Sequence, residues 1–342
     1  MKSKVLFVFL AFMLVVLLFV AACAKPAPAP AKPITLTIAD FTPATMFPGV
    51  SIDRWAAEVE KRTNGKVKIQ AFHGGSLLTS PAMFDGVISN VANCGMSFTS
   101  YEPGRFPLLA GMDLPVGFTS ARQACGVLWE LYTKFKPKEL ADFKVLWLDT
   151  CAPAYIQSKT PVRNLDDLKG MELRASGTGV TLLKMLGAAG VGMPQSEVAE
   201  ALAKGVVKGY ASSMEVLLDF KYAETVKYVT DYSMFVVTAA NVMNKGIWDS
   251  LPKDVQKVID DLGQEQALWT GEYMDAQVKK SLDWAIANQG VKVITLSPEE
   301  KAKWDTLLKP AVDKYLQDTA AKGLPGKEFL DELYKLKPKY AK

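Results

Sequence analysis

The sequence of 342 residues predicts an α/β fold of two units, each a parallel-dominated sheet covered by helices, with one long helix that braces both. Strand-like and helix-like patterns alternate along the chain, and the alternation begins again near Tyr155. Residues 252–287 have the pattern of one continuous helix. A helix of about 35 residues spans roughly 50 Å, which is too long for one small domain.

The first unit is predicted from the spacing of its apolar side chains. Residues 34–38 alternate apolar and polar positions as a half-buried strand does, and residues 51–62 carry Ile52, Trp55 and Val59 at helical spacing. The full set for this unit is strands at residues 34–38, 67–71, 91–98 and 144–149, and helices at residues 51–62 and 81–90.

The second unit repeats the pattern without repeating the residues. It is predicted to contain a strand at residues 171–175 and helices at residues 180–186 and 196–204. The rest of the chain is predicted to form a strand at residues 235–243, the long helix at residues 252–287, a last strand at residues 291–296 and terminal helices from Ser297 onwards. Ser196 is predicted to be the N-cap of its helix, with Glu197 in the first turn. The apolar run at residues 235–243 is predicted to cross between the two units.

Composition excludes some functions. The net charge is +4, and it becomes +2 if the segment that contains Lys2 and Lys4 is removed. Such a mild charge is not the clustered basic surface of a nucleic-acid-binding protein, so we expect no nucleic-acid partner.

The N-terminus is interpreted as an export sequence. Lys2 and Lys4 precede an unbroken apolar run at residues 5–20, and Val-Ala-Ala-Cys at residues 20–23 is typical of a lipobox, in which Cys23 would be lipidated. An uncleaved membrane helix and ordinary secretory cleavage are the alternatives. We therefore expect a signal peptide at residues 1–22 and a lipid-anchored protein outside the cytoplasm. The Pro/Ala-rich tether at residues 23–33 would hold it about 30 Å from the membrane.

The remaining cysteines are Cys94, Cys125 and Cys151. An odd number argues against a complete disulfide framework, and a Cys125–Cys151 bridge is left open. Cys94 is expected to be a buried small apolar side chain. Since the sequence has no CxxC pair and a single histidine, His73, we expect no metal site and no cofactor.

Arg174 is the strongest candidate for a binding residue. It ends a short extended run and is followed by Ala-Ser-Gly-Thr-Gly, which places Ser176 beside it. Glycines and hydroxyls next to an arginine at a strand end can bind a small anion. The alternative is an arginine that forms a structural salt bridge.

Several short runs resemble one family when their order and spacing are taken together. The strongest is Lys-Gly-Met-Glu-Leu-Arg at residues 169–174, and the others are residues 72–77, 93–96, 104–107, 113–115, 193–194, 197–198, 201–202, 205–209 and 248–252. Together they resemble the solute receptors of TRAP (tripartite ATP-independent periplasmic) transporters, the DctP-like family. The resemblance extends from Ile34 to the terminal helices.

The resemblance implies a periplasmic-binding-protein-like fold of two α/β domains with a ligand cleft between them. It predicts domain I at residues 34–151 plus 238–277 and domain II at residues 152–237 plus 278–342. It implies capture of an organic acid and its delivery to the membrane permease subunits. Arg174 falls on the family arginine that pairs with the ligand carboxylate.

This sequence departs from the family at several positions. His73 stands where proline is usual, Ala211-Ser212 replaces a Glu-Asn pair, and no second arginine occurs near Ala154-Tyr155. The ligand is therefore expected to be a simple monocarboxylate or a small dicarboxylate. The ligand-binding residues predicted beside Arg174 and Ser176 are Phe41, Ser97, Phe98, Tyr101, Tyr155, Tyr210 and Ser212.

Two other functions are alternatives to a TRAP receptor. A lipid-anchored receptor of an ABC importer or a sensor would share the two-domain architecture. An extracytoplasmic enzyme is opposed by the lack of a nucleophile motif, a Gly-rich phosphate loop or a metal-binding cluster in the sequence, so no enzymatic activity is expected.

Overall fold

The computed structural model describes residues 32–341. The predicted signal peptide, the predicted lipidation site Cys23 and nearly all of the predicted tether lie outside the described residues, and so does Lys342.

The first sheet has five strands in the order β2-β1-β3-β10-β4. Their bounds are β1 Ile34–Asp40, β2 Val67–Phe72, β3 Cys94–Phe98, β4 Phe143–Thr150 and β10 Thr238–Asn244. Strands β1 and β3 are parallel, whereas β10 is antiparallel to both β3 and β4.

The second sheet has six strands in the order β11-β9-β5-β8-β6-β7. Their bounds are β5 Tyr155–Ser158, β6 Glu172–Ala175, β7 Ala189–Gly192, β8 Gly209–Ser212, β9 Tyr228–Asp231 and β11 Lys292–Thr295. Strand β6 is parallel to β7 and β8, and β9 is parallel to β11, but β5 is antiparallel to β8 and β9.

Both sheets are mixed, which corrects the expectation of parallel-dominated sheets in part. Parallel pairs prevail in the second sheet, whereas in the first sheet β10 is antiparallel to both of its neighbours. The antiparallel strands β5 and β10 follow the connections that pass from one sheet to the other. No helical crossover within a sheet precedes them, so nothing requires them to be parallel to their neighbours.

Eleven α-helices lie in the described part of the chain. They are α1 Phe47–Arg62, α2 Met83–Ile88, α3 Ala121–Phe135, α4 Leu165–Leu168, α5 Thr178–Met185, α6 Val198–Ala203, α7 Val216–Asp219, α8 Lys245–Ser250, α9 Lys253–Gln289, α10 Pro298–Ala321 and α11 Gly326–Tyr340. The predicted start of the terminal helices is confirmed, since Ser297 caps α10 by accepting a hydrogen bond from the Glu300 amide.

Helix α9 confirms the predicted long helix and packs against elements of both sheets. Near its middle, Gln266 donates hydrogen bonds to the backbone oxygen and the hydroxyl of Ser51, in α1. Further along, Ser281 donates to the backbone oxygens of Met214 and Glu215, just before α7. Its 37 residues span roughly 55 Å.

Two short chain segments connect the sheets and run side by side, and a third, longer connection from β10 to β11 contains α8 and α9. Residues 151–154 lead from β4 to β5, and residues 232–237 lead from β9 to β10. The Cys151 amide donates to the Val237 oxygen at 2.9 Å, and the Ala154 amide donates to the Phe235 oxygen at 2.7 Å. The predicted domain bounds near these segments remain a prediction.

One further expectation is corrected. Ser196 is not an N-cap, because it lies inside a 3₁₀ turn, Gln195–Glu197, that starts directly after Pro194, and α6 begins only after that turn. The Cys125–Cys151 bridge, which the sequence leaves open, does not form, since both are free thiols. Cys94 is fully buried in β3, as expected.

Candidate functional site

A cavity lies where strands of both sheets end. It is lined by residues that follow β1, β3, β6 and β8, by the start of α1, by α7 and by the two connecting segments. Ligands of open α/β sheets bind at the carboxyl ends of strands, where loops and helix starts offer polar groups.

Six of the nine predicted ligand-binding residues line this cavity. They are Phe41, Phe98, Tyr101, Arg174, Ser176 and Ser212. The cavity lining does not include Ser97, Tyr155 or Tyr210.

The other three predicted residues lie behind or beside the cavity wall. Ser97 is buried in β3 and its hydroxyl donates to the Ser80 oxygen at 3.3 Å. Tyr210 is buried, and its hydroxyl donates to Gln157 Oε1 at 2.8 Å. Tyr155 is half-buried in β5.

Arg174 is buried at the end of β6, with 3% of its surface exposed. Its Nε and Nη2 donate to the Met193 oxygen at 2.9 and 2.7 Å, and its Nη1 donates to Gln195 Oε1 at 2.7 Å. These bonds use three of the five N–H donors of a guanidinium. The Tyr101 hydroxyl, another neutral acceptor, also lies within hydrogen-bonding reach of the group. Burial lowers the pKa of Arg174, although an arginine stays charged in proteins.

Both acceptors of these Arg174 bonds are neutral. No Asp or Glu in residues 32–341 forms an ion pair with it. A buried charge without an opposite charge is costly, so the cavity is suited to an anion.

Gln195 connects Arg174 to the opposite side of the cavity. Its backbone N–H donates to the Tyr101 hydroxyl at 3.2 Å, and the Tyr222 hydroxyl donates to the Gln195 backbone oxygen at 3.2 Å. Tyr101 follows β3 of the first sheet, whereas Gln195 follows β7 of the second. The hydrogen bond between them therefore links the two sides of the cavity.

Three aromatic rings form an apolar wall. The ring centroids of Phe41, Phe98 and Tyr101 lie 5.4–5.8 Å apart, in edge-to-face arrangements. Phe47 and Phe220 also line the cavity. The body of a ligand held here would contact mainly apolar groups.

Sequence reasoning missed an acid in the cavity. Glu215 is 5% exposed, its Oε1 accepts from the Ser213 hydroxyl at 2.8 Å, and its Oε2 has no hydrogen-bond partner among the described residues. Burial raises the pKa of Glu215 to about 7. A single glutamate in the apolar run Met-Glu-Val-Leu-Leu at residues 214–218 is the signal that the sequence offers.

The described residues offer neither a metal centre nor a membrane span. Residues 32–341 contain no group of three or more His, Cys, Asp or Glu side chains that could hold a metal ion. In that part of the chain, no helix is both long and apolar enough to cross a membrane.

Comparison with known proteins assigns the family. The model of the bacterial extracellular solute-binding proteins, family 7, matches residues 38–318. A solute-binding protein of Verminephrobacter eiseniae is 30% identical over 241 residues, which are 68% of this chain and 71% of that protein. The chain therefore belongs to this family of solute-binding proteins.

Two solved structures are similar over nearly the whole described chain. A TRAP periplasmic solute-binding protein from Desulfovibrio salexigens is 46% identical with a TM-score of 0.83, over 90% of this chain and 96% of that one; it is an open complex with the C-terminus of a symmetry mate in its ligand-binding site. A marine metagenome TRAP protein specific for aromatic acids, in complex with 3-hydroxybenzoate, is 27% identical with a TM-score of 0.85, over 91% of this chain and 100% of that one.

These similarities confirm the resemblance to TRAP solute receptors and the two-domain fold with a cleft. The family and both neighbours are solute-binding proteins. That the chain lacks catalytic activity stays a prediction.

Proposed function

We propose that this protein captures an organic monocarboxylate in the cavity and delivers it to the membrane permease of a TRAP transporter. The observation that carries the proposal is Arg174, a buried cation in the cavity wall whose hydrogen-bond acceptors are all neutral. A carboxylate accepts two parallel N–H···O bonds from a guanidinium, which fixes both its charge and its orientation.

The ligand's body is proposed to be apolar or aromatic. The Phe41–Phe98–Tyr101 wall supports this, because aromatic rings pack against flat apolar groups. The similar metagenome protein is in complex with 3-hydroxybenzoate, and the similar Desulfovibrio protein holds a polypeptide C-terminus, which ends in a carboxylate.

Ligand binding is proposed to favour a closed arrangement of the two domains, with hinges near residues 151–153 and 237–239. The Tyr101–Gln195 hydrogen bond, which joins the two sides of the cavity, would stabilise the closed arrangement, and removal of water would strengthen the pairing of the carboxylate with Arg174. Small-angle scattering should show a smaller radius of gyration at saturating ligand. An unchanged profile would contradict closure but not binding.

Cys23 is proposed to anchor the protein to the membrane from outside the cytoplasm. The motivation is the lipobox-like Val-Ala-Ala-Cys at residues 20–23. Cys23→Ala should release the protein from the membrane fraction or leave it unprocessed. Full retention of that variant in membranes would favour an uncleaved helix.

The binding function is tested by mass spectrometry of small molecules released when the purified protein is denatured, followed by calorimetry with the acid that is found. We expect an organic acid that binds one to one. Failure of that acid, and of a panel of aromatic and aliphatic carboxylates, to bind the folded protein would overturn the proposal.

A further inference from the structure

We infer that Glu215 accepts a hydrogen bond from a hydroxyl or amino group of the ligand, at a point away from its carboxylate. The ligand is then a hydroxy- or amino-substituted acid rather than a plain acid or a dicarboxylate. This inference rests on the proposed function, because it places an organic acid in the same cavity.

The first observation is the unequal use of the two carboxyl oxygens. Oε1 accepts from Ser213, whereas Oε2 has no partner among the described residues, although the side chain is almost completely buried and lines the cavity. Buried polar atoms in native proteins are nearly always hydrogen-bonded, so we expect a group of the bound ligand to donate a hydrogen bond to this oxygen.

The second observation is that Glu215 is held in place. The Ser281 hydroxyl of α9 donates to the Glu215 backbone oxygen at 3.1 Å, and Ser213, which fixes the carboxyl group, is itself buried. These contacts hold the backbone at Glu215 and one of its carboxyl oxygens in place.

The third observation is the charge at this part of the cavity. Asp219 also lines it, and no Lys or Arg in residues 32–341 forms an ion pair with Glu215. Apart from Arg174, the described residues that line the cavity include no Lys or Arg, so a second ligand carboxylate would have no cation to pair with here, whereas an O–H or N–H group could donate to the unpaired oxygen.

The test is calorimetry of the full chain with acids that differ by one group. The ring series is benzoate, its 3- and 4-hydroxy and 3- and 4-amino derivatives, and the corresponding dicarboxylates; the aliphatic series is pentanoate, 5-hydroxypentanoate, 5-aminopentanoate and glutarate. We expect at least one hydroxy or amino acid to bind about tenfold or more tightly than its unsubstituted parent, and the dicarboxylates to bind more weakly than the parent.

Glu215→Met keeps the side-chain volume and removes the acceptor, so it should abolish the preference for the substituted acid over its unsubstituted parent. Glu215→Gln keeps an acceptor without the charge, so it should retain part of the preference and accept dicarboxylates better. The matched control is Glu139→Met, which removes a carboxyl group that binds the Leu108 and Leu109 amides outside the cavity. It should leave the preference intact.

The outcomes separate the two proposals. If no acid of either series binds the folded wild type, the proposed function fails and this inference fails with it. If acids bind but the wild type shows no preference, or Glu215→Met retains it, this inference alone is overturned. Should Glu215→Met not fold, the wild-type series and Glu215→Gln still decide.

Discussion

Arg174 is buried and Arg105 is half-buried, and the two arginines differ in the charge of their hydrogen-bond partners. Arg105, in the loop after β3, pairs through Nη1 with Asp85 at 2.8 Å and with Glu102 at 2.5 Å. Its guanidinium also lies 5.5–5.9 Å from the ring centroids of Phe84, Phe106 and Phe143. Arg174 is more deeply buried and has only neutral acceptors.

The difference indicates two different roles. The charge of Arg105 is compensated within the protein, so it can stabilise the fold without a ligand. The charge of Arg174 is not compensated among the described residues, so the folded protein carries an electrostatic cost that an anion would relieve.

The largest effect is expected from Arg174→Ala. Loss of the guanidinium should cost about 2–5 kcal/mol of affinity for the organic acid, because the carboxylate would be buried without its partner. Arg174→Lys should recover only part, since an ammonium lacks the planar fork. Calorimetry measures both, with a melting curve to show that each variant is folded.

The converse is expected for Arg105→Ala. Loss of its two ion pairs and its aromatic contacts should lower the free energy of unfolding by about 1–2 kcal/mol, measured by urea denaturation. Affinity for the acid should stay within about twofold of wild type. A large loss of affinity with an unchanged free energy of unfolding would contradict the structural role of Arg105.

Smaller effects are expected from the hydroxyl groups of Ser212, which lines the cavity, and Tyr210, which lies behind its wall. Ser212→Ala and Tyr210→Phe should each cost about 0.5–1.5 kcal/mol of affinity. Tyr210 would act indirectly, since it hydrogen-bonds Gln157, whose amide donates to the Ser212 oxygen at 2.8 Å. Calorimetry of the two variants and of the double variant would show whether the losses are coupled.

The smallest effect concerns His73, whose ring nitrogens lie 3.0 Å from Asp40 Oδ2 and 3.1 Å from Asp53 Oδ1. Burial alone lowers the pKa of His73, but the bonds to both carboxylates outweigh it and raise the pKa. A raised pKa in the folded state means stability that is present below the unfolded value of about 6.5 and is lost as pH rises through the folded value.

His73→Gln should therefore lower stability more at a pH of about 5.5 than at about 8.5. Urea denaturation of wild type and variant at the two pH values measures the difference. A difference in unfolding free energy between wild type and His73→Gln that is constant or grows with pH would contradict this role of the histidine.

The sequence predicts where helices and strands lie better than it predicts whether neighbouring strands are parallel or antiparallel. The continuous helical pattern after Pro252 predicts α9 almost to its ends, because periodicity and a proline start are local signals. The directions of β5 and β10 do not follow from the pattern, because alternation of apolar side chains is the same in parallel and antiparallel strands.

The site is predictable only where one residue type has a specific chemistry. Arg174 can be singled out because a lone arginine ends a strand beside glycines and hydroxyls. Tyr210 lies two residues before Ser212 on β8 and is buried behind the wall, a depth that the sequence does not encode. Glu215 depends on contacts with Ser213 and α9, which exist only in the folded chain.

The most direct test of the central claim is a double-mutant cycle between Arg174 and the ligand's carboxylate. Wild type and Arg174→Ala are each titrated with the acid that co-purifies and with its primary amide, which has the same shape without the charge. If Arg174 binds the carboxylate, wild type should bind the acid much more tightly than the amide. In Arg174→Ala, the difference in binding free energy between the acid and the amide should be smaller by at least about 1.5 kcal/mol. Equal discrimination by wild type and Arg174→Ala would contradict the claim.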